Sequence, residues 1–276
     1  MTAPTQPFPT KPLAFDRQGA TVENLIDFTP ELRQEALAIV DRYTIGAMFT
    51  PPSVKGDGPN DNQGTIQLPG SQGGADVQGA AFDPETSYLY VPSITAPFVA
   101  DIEEGNPDRT NLDYVKGRRQ WIGGPRGLPL FKPPYGRVTA INMTTGEFAW
   151  QVPNGYGPTN HPAIRALNLG RLGSPGRPGP LLTKSLLFLG EGSDVGVGVQ
   201  GAGRVPEGMP LNIVTNYGEP WFRAYDKRTG DVVWEMELDA GTTGVPMTYM
   251  HDDKQYIVVP IGGREVPGQW IALTLP

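Results

Sequence analysis

The chain has 276 residues, 38% of them hydrophobic, with no cysteine and a formal net charge of -7. A chain of that size buries a sizeable core, and zero cysteines exclude disulfides, thiol nucleophiles and Cys-ligated zinc. The acidic balance argues against nucleic-acid partners and anionic membrane surfaces, both of which need clustered Lys and Arg.

The opening "MTAPTQPFPTKP" has no apolar signal core, and no apolar run approaches the roughly 18 residues of a membrane span, so this stretch is expected to carry neither an anchor nor its own export signal. Residues 1 to 28 read as Pro-rich and extended. The period then changes in "TPELRQEALAIVDRY": Leu32, Ala36, Ile39, Val40 and Tyr43 share one face at helical spacing, with Thr29 as N-cap and Pro30 at the first helical position.

Everything after this helix reads as strands. The 36 Gly and 30 Pro punctuate strand-like runs instead of forming tracts, the pattern of an all-β protein with many turns. Short strands or hairpins are expected at 64–70, 79–93, 137–152, 181–191, 222–238, 246–262 and in the closing "WIALTLP", with long loops at 101–135 and 192–221. "KGRRQW", Lys116 to Trp121, reads as a solvated loop.

One sentence is written twice. "AINMTTGEFAWQV" from Ala140 and "AYDKRTGDVVWEM" from Ala224 align Ala, Thr-Gly and Trp, with Trp150 and Trp234 in register. A strand ends at Ala-Tyr, Asp226 accepts turn amides, Gly230 takes a left-handed conformation without steric cost, and an antiparallel strand carrying the Trp follows. Each copy has a neighbouring hairpin with an aromatic-aliphatic strand, "SYLYV" or "QYIVV". Two hairpins make a four-stranded sheet, and such sheets repeated about an axis make a β-propeller, in which a wide Trp fills the wedge between sheets.

"GVGVQG", Gly196 to Gly201, satisfies the dinucleotide-binding spacing, but "AGRVPEGMP" with two prolines follows where a helix must open, which rejects it. His251 is expected at a solvated hairpin turn, and His161, between polar loop residues and a proline, is a candidate for lining a site. "LPGSQGGADVQGAAFDP", Leu68 to Pro84, is a glycine-rich approach to a strand with Asp76 embedded; its glycines suit either close backbone approach to a flat ligand or a tight connection between sheets.

"GTIQLPGSQGGA", "GAAFDPET", "YLYVPS", "GPLLTKSLLF", "FRAYDKRTGDVVW" and "GTTGVPMTYMHDDKQYIVVPIGG", in this order, resemble the C-terminal part of pyrroloquinoline-quinone-dependent dehydrogenases of the membrane quinoprotein glucose dehydrogenase type. The resemblance runs from about Thr5 to Pro276. It implies about three four-stranded blades of an eight-bladed propeller (64–276) behind an extended and helical lead-in (1–63), in a single domain. It also implies pyrroloquinoline quinone held at the axis beside Ca2+, oxidation of a sugar or alcohol hydroxyl, electron delivery to ubiquinone or a cytochrome, and a periplasmic or membrane-associated location. The family's base and its quinone-contacting lysine belong to blades that precede this region, so catalytic and metal ligands are not assigned here.

Within the part present, Ser71 to Gly79 is expected to contribute to the cofactor site. Relatives show Asn-Trp-Gly-Gly or Glu-Trp-Gly-Gly where this chain has "DVQG", which keeps a carboxylate at Asp76 but replaces the aromatic with Val77. Glu219 matches a position that is acidic in glucose dehydrogenases, and Arg264 one where His or Arg follows Gly-Gly; Asp76, Glu219 and Arg264 are the expected cofactor contacts. The partner is then a missing N-terminal propeller half, or a second copy, since open sheet edges are adhesive. The competing reading is a non-catalytic propeller module that has lost cofactor binding.

Overall fold

A computed structural model describes residues 7, 9–58, 60–71, 73–75, 77–117, 120–176, 178–192, 220–263 and 266–275. Its architecture is an open, partial β-propeller preceded by a compact lead-in. The first blade is a four-stranded antiparallel sheet of Ala81–Asp83, Tyr88–Ile94, Gly136–Asn142 and Glu147–Pro153, in that spatial order. The second repeats the arrangement with Leu181–Leu182, Leu186–Gly190, Trp221–Asp226 and Val232–Glu237. A third sheet has three strands, Met247–His251, Lys254–Ile261 and Gln269–Thr274.

The repeated sentence forms the hairpin its residues dictate. Asp226 Oδ1 accepts from the amides of Arg228 at 2.7 Å and Thr229 at 3.3 Å, and Gly230, at φ +79°, donates its amide to the Asp226 carbonyl at 2.9 Å. In the first blade Asn142 does the same for Thr144 and Thr145, and Gly146 sits at φ +72°. A short polar side chain and a residue free to adopt positive φ are what this turn needs.

The same turn joins the blades. A Cβ on Gly230 would lie 2.8 Å from Trp150 Cε3, so the glycine packs directly on the indole of the preceding blade. Lys227, in the same turn, accepts through its carbonyl from Trp150 Nε1 at 3.2 Å and from the Tyr90 hydroxyl at 2.9 Å. Its ammonium reaches Asp83 Oδ2 at 2.7 Å. Between the two sheets Tyr90, Val138, Leu187, Leu189 and Tyr225 are fully buried. At about 1.5–3 kcal/mol per large apolar side chain, this seam supplies the adhesion. The buried Lys227–Asp83 pair roughly breaks even on desolvation and instead fixes which turn meets which strand. Phe222, Leu238, Val259 and Ile261 make the equivalent seam between the second blade and the third sheet.

The helix spans Pro30–Val40, with Thr29 Oγ1 accepting from the Leu32 amide at 3.3 Å. It buries Leu32, Ala36 and Val40 against Ile66, Leu128 and Phe131. The segment between the second and third strands of the first blade differs from expectation. Residues 101–135 are not one long loop: Phe98–Glu104 is a strand that pairs with Ser53–Val54, Thr65–Gln67, Tyr114–Lys116 and Gln120–Trp121. Acidic residues in "FVADIEE" hide its alternation, and its partners are too short to announce themselves. "KGRRQW" is therefore flanked by strand ends on this sheet. The segment 192–221 lies mostly outside the described residues.

Replacing Gly230 with Ala is expected to lower stability by about 1–3 kcal/mol, since the residue must hold positive φ and push on Trp150. Gly170→Ala, with no atom within 4 Å of the added Cβ, is expected to be near neutral. Denaturant titrations followed by tryptophan fluorescence compare the two.

Candidate functional site

The glycine-rich approach to the first blade folds over the end of that blade's second strand and makes a shallow cleft of about 20 Å³, open to solvent. Gly73, Gly74, Gln78 and Gly79 form one wall, Ser93 and Ile94 the floor, and Gly176, from the connection to the second blade, the far side. The cleft thus sits at the junction of two blades, where adjacent elements leave a concavity.

Glycine is required here for space. Gly74 carries no side chain because Asp16 Oδ2 occupies the position a Cβ would take, and Gly70 is held equally tightly against the Ala96 carbonyl. Gly73 and Gly79 have φ of +74° and +76°. The loop is tied to the blade by the Ile94 amide, which donates to the Gly74 carbonyl at 2.7 Å. On the far side a Cβ at Gly176 would overlap the Glu191 carbonyl, so both walls are backbone.

Beneath the loop lies a buried ion pair that the sequence analysis did not single out. Arg137 Nη1 donates to Asp16 Oδ1 at 3.0 Å, with both side chains almost fully buried. Nη2 donates to Thr95 Oγ1 and to the Pro134 carbonyl. Burial pushes the Asp16 carboxyl up, against the pull of Arg137 and the Arg17 amide. Among the described residues, Asp16 Oδ2, Arg137 Nε and the Ser93 hydroxyl are buried without a hydrogen-bond partner. Unsatisfied buried polar atoms cost free energy, and Ser93 is also one of the residues that line the cleft, with its hydroxyl buried. Arg137 left one trace in the sequence: a charge in "GRVTAIN" that alternates in phase with Thr139 and Ile141. Asp16 left none, because its partner is 121 residues away.

Behind Gly176 a second network supports the far wall. Arg223, fully buried, donates to Glu191 and, from Nε, to Glu235 Oε2 at 2.9 Å. Arg171 and the Tyr156 hydroxyl also reach Glu235, each at 2.9 Å, and Ser174 Oγ donates to Glu191. The guanidinium of Arg223 lies 5.2 Å from the Tyr156 ring centroid and 5.8 Å from that of Trp221. Two arginines and two glutamates balance in charge, as burial demands. Burial opposes the charge on Glu235, but hydrogen bonds from Tyr156 and Arg223, with Arg171 nearby, outweigh it and hold its carboxyl below the usual range.

Asp76, Glu219 and Arg264 lie outside the described residues, as does "GVGVQG". Asp76 is flanked in the chain by Ala75 and Val77, and Ala75 lines the cleft. Val77, at 88% exposure, offers no stacking face. His161 does not line the cleft. Its Nδ1 accepts from the Ala163 amide at 3.1 Å and its Nε2 lies 3.1 Å from the Arg126 carbonyl, so both ring nitrogens are used locally. His251 ends its strand at the Asp252–Asp253 turn, exposed as expected. Among the described residues no three His, Cys, Asp or Glu side chains cluster to hold a metal ion.

A family model described as glucose/ethanol/alcohol dehydrogenase, PQQ β-propeller domain, matches residues 1–197 and 195–257. Quinoprotein glucose dehydrogenase of Escherichia coli K12 is 28% identical over 289 residues, covering 95% of this chain and 31% of that protein. Quinoprotein glucose dehydrogenase A of Acinetobacter calcoaceticus is 26% identical over 239 residues, 81% of this chain and 26% of the relative. The glycerol dehydrogenase large subunit of Gluconobacter thailandicus is 28% identical over 261 residues, 83% and 31%. The chain therefore spans between a quarter and a third of the length of these relatives. The solved quinohemoprotein alcohol dehydrogenase from Comamonas testosteroni aligns at a TM-score of 0.44 with 17% identity, over 84% of this chain and 32% of that one.

The depressed Glu235 carboxyl sets an acid limit. A carboxyl whose folded pKa lies below its unfolded value stabilises the fold above the unfolded value, about 4.3, and loses that contribution as pH falls through the folded one. Thermal melting between pH 6 and pH 3 is expected to show the wild type losing stability below about pH 4.3 more steeply than Glu235→Gln.

Proposed function

The chain belongs to the glucose, ethanol and alcohol dehydrogenase family built on a PQQ β-propeller domain, and on that premise we propose that it forms one side of the quinone site in a dehydrogenase that oxidises a sugar or alcohol hydroxyl. The observation that supports this most directly is the glycine-lined cleft between the first blade and the connection to the second, with Ala75, the neighbour of Asp76, among its lining residues.

The residues present can give the organic cofactor one backbone-lined face, at Gly73, Gly74 and Gly176, while the cleft, about 20 Å³, does not by itself enclose it. Asp16 and Arg137 hold the loop from below. When bound, the quinone supplies the two-electron acceptor, while the protein supplies position and charge. Asp76, beside the cleft-lining Ala75, together with Glu219 and Arg264, is proposed to face the cofactor, with the Arg264 guanidinium offering a fork to a carboxylate. The described residues do not make a metal site; Ca2+ in this proposal is held by carboxylates outside them, and no step here depends on it. Transfer of electrons to ubiquinone or a cytochrome, and a periplasmic or membrane-associated location, complete the proposal. No helix among the described residues is long and apolar enough to cross a membrane.

Calorimetric and absorbance titration with pyrroloquinoline quinone and Ca2+ tests it, on the chain alone and mixed with the N-terminal part of a quinoprotein glucose dehydrogenase. Saturable binding is expected in the mixture. No binding in either sample sinks the proposal in favour of a non-catalytic propeller module.

A further inference from the structure

Residues 11–19 are strapped across the first blade. Lys11 pairs with Glu147 at the blade's Thr-Gly turn. The Phe15 carbonyl accepts from Arg137 Nη1 at 3.2 Å and from Gln151 Nε2 at 3.3 Å, and Arg17 donates to the Lys132 and Pro133 carbonyls. The Gly19 amide then donates to the Leu68 carbonyl at 2.7 Å, where the glycine-rich loop begins. The strap thus binds blade and loop together, and Asp16 is where it meets the middle of the loop.

The two oxygens of Asp16 have different work. Oδ1 accepts from the Arg17 amide at 2.8 Å and from Arg137 Nη1 at 3.0 Å. Oδ2 has no hydrogen-bond partner among the described residues and lies 2.2 Å from where a Cβ on Gly74 would stand. Gly74 is held a second way, by the Ile94 amide on its carbonyl. A buried carboxylate with an unsatisfied oxygen costs free energy, and its ion pair adds little stability over an apolar replacement. What the pair supplies is a fixed stop: Arg137 clamps the carboxylate, and the loop backbone rests on it. Gly73, Gly74 and Ala75 line the cleft, whereas Asp16 does not.

We propose that Asp16 is a positioning residue: clamped by Arg137, it sets how far residues 73–75 stand off the first blade, and through that backbone it governs how tightly the quinone is held without touching it. The inference rests on the reading of the cleft as one face of the quinone site. A binding surface made of backbone has no rotamers of its own to adjust, so its placement is set by whatever stands behind it.

Two variants test this. Asp16→Ala combined with Arg137→Leu removes the stop and strands no charge, while Asp16→Asn keeps the shape of the side chain. In the chain alone, hydrogen–deuterium exchange at the Ile94 amide is expected to be about tenfold faster in the double variant, with the amides of Leu186–Gly190 in the second blade unchanged. In the mixture with the N-terminal part of a quinoprotein glucose dehydrogenase, calorimetry with pyrroloquinoline quinone is expected to give the double variant a dissociation constant about tenfold above wild type at unchanged stoichiometry, and Asp16→Asn one within about threefold of it. Equal affinity in the double variant and wild type overturns the proposal, as does unchanged exchange at Ile94. A fall in stoichiometry at wild-type affinity also overturns it, since Asp16 then serves folding alone. Absence of binding in the unaltered mixture sinks the reading of the cleft and this inference with it, and is told apart because it appears without any variant.

Discussion

The packing of Gly230 on the Trp150 indole is the contact on which the rest of the structure depends. It brings one blade's turn onto the preceding blade's widest side chain, and the way those two sheets meet follows from it. Three independent requirements converge on the turn. The backbone needs positive φ at residue 230, the indole leaves no room for a Cβ, and the Lys227 carbonyl must point at both Trp150 Nε1 and the Tyr90 hydroxyl. Burial alone holds sheets together without specifying register; the turn supplies the register that non-directional apolar contact lacks.

Charge is used in the interior to the same end. Arg137 with Asp16 and Lys227 with Asp83 cross between elements distant in sequence, and Arg223 with Glu191 and Glu235 ties neighbouring strands of the second blade. Such pairs add little net stability over apolar replacements, but removing one partner strands the other in a low-dielectric interior. They act as keys between layers. Two of the three lie directly behind walls of the cleft, at Gly74 and Gly176, so the rigidity of its backbone walls depends on polar contacts its lining does not display.

The chain covers between 26% and 31% of the length of three of its relatives, and Trp270, on the outer strand of the third sheet, is 70% exposed. The chemistry of the family and the geometry of its pocket are shared properties of a ring of sheets rather than of any one blade.

The amino-acid sequence by itself determined the local units: the helix through its Thr29 cap and apolar face, the hairpins through alternation, and the Asp/Asn–Thr-Gly turns through the short side chains and glycine they require. It marked the glycine-rich turn before the first blade, where close packing at 70 and 74 and positive φ at 73 and 79 each call for glycine. The tertiary structure alone decided what stands behind those glycines. Asp16 and Arg137 are 121 residues apart, Glu191 and Arg223 are 32, and Phe98–Glu104 is a strand because of the neighbours that gather around it. Pairing over such separations depends on how sheets pack in three dimensions, and no periodicity within a strand or helix encodes it.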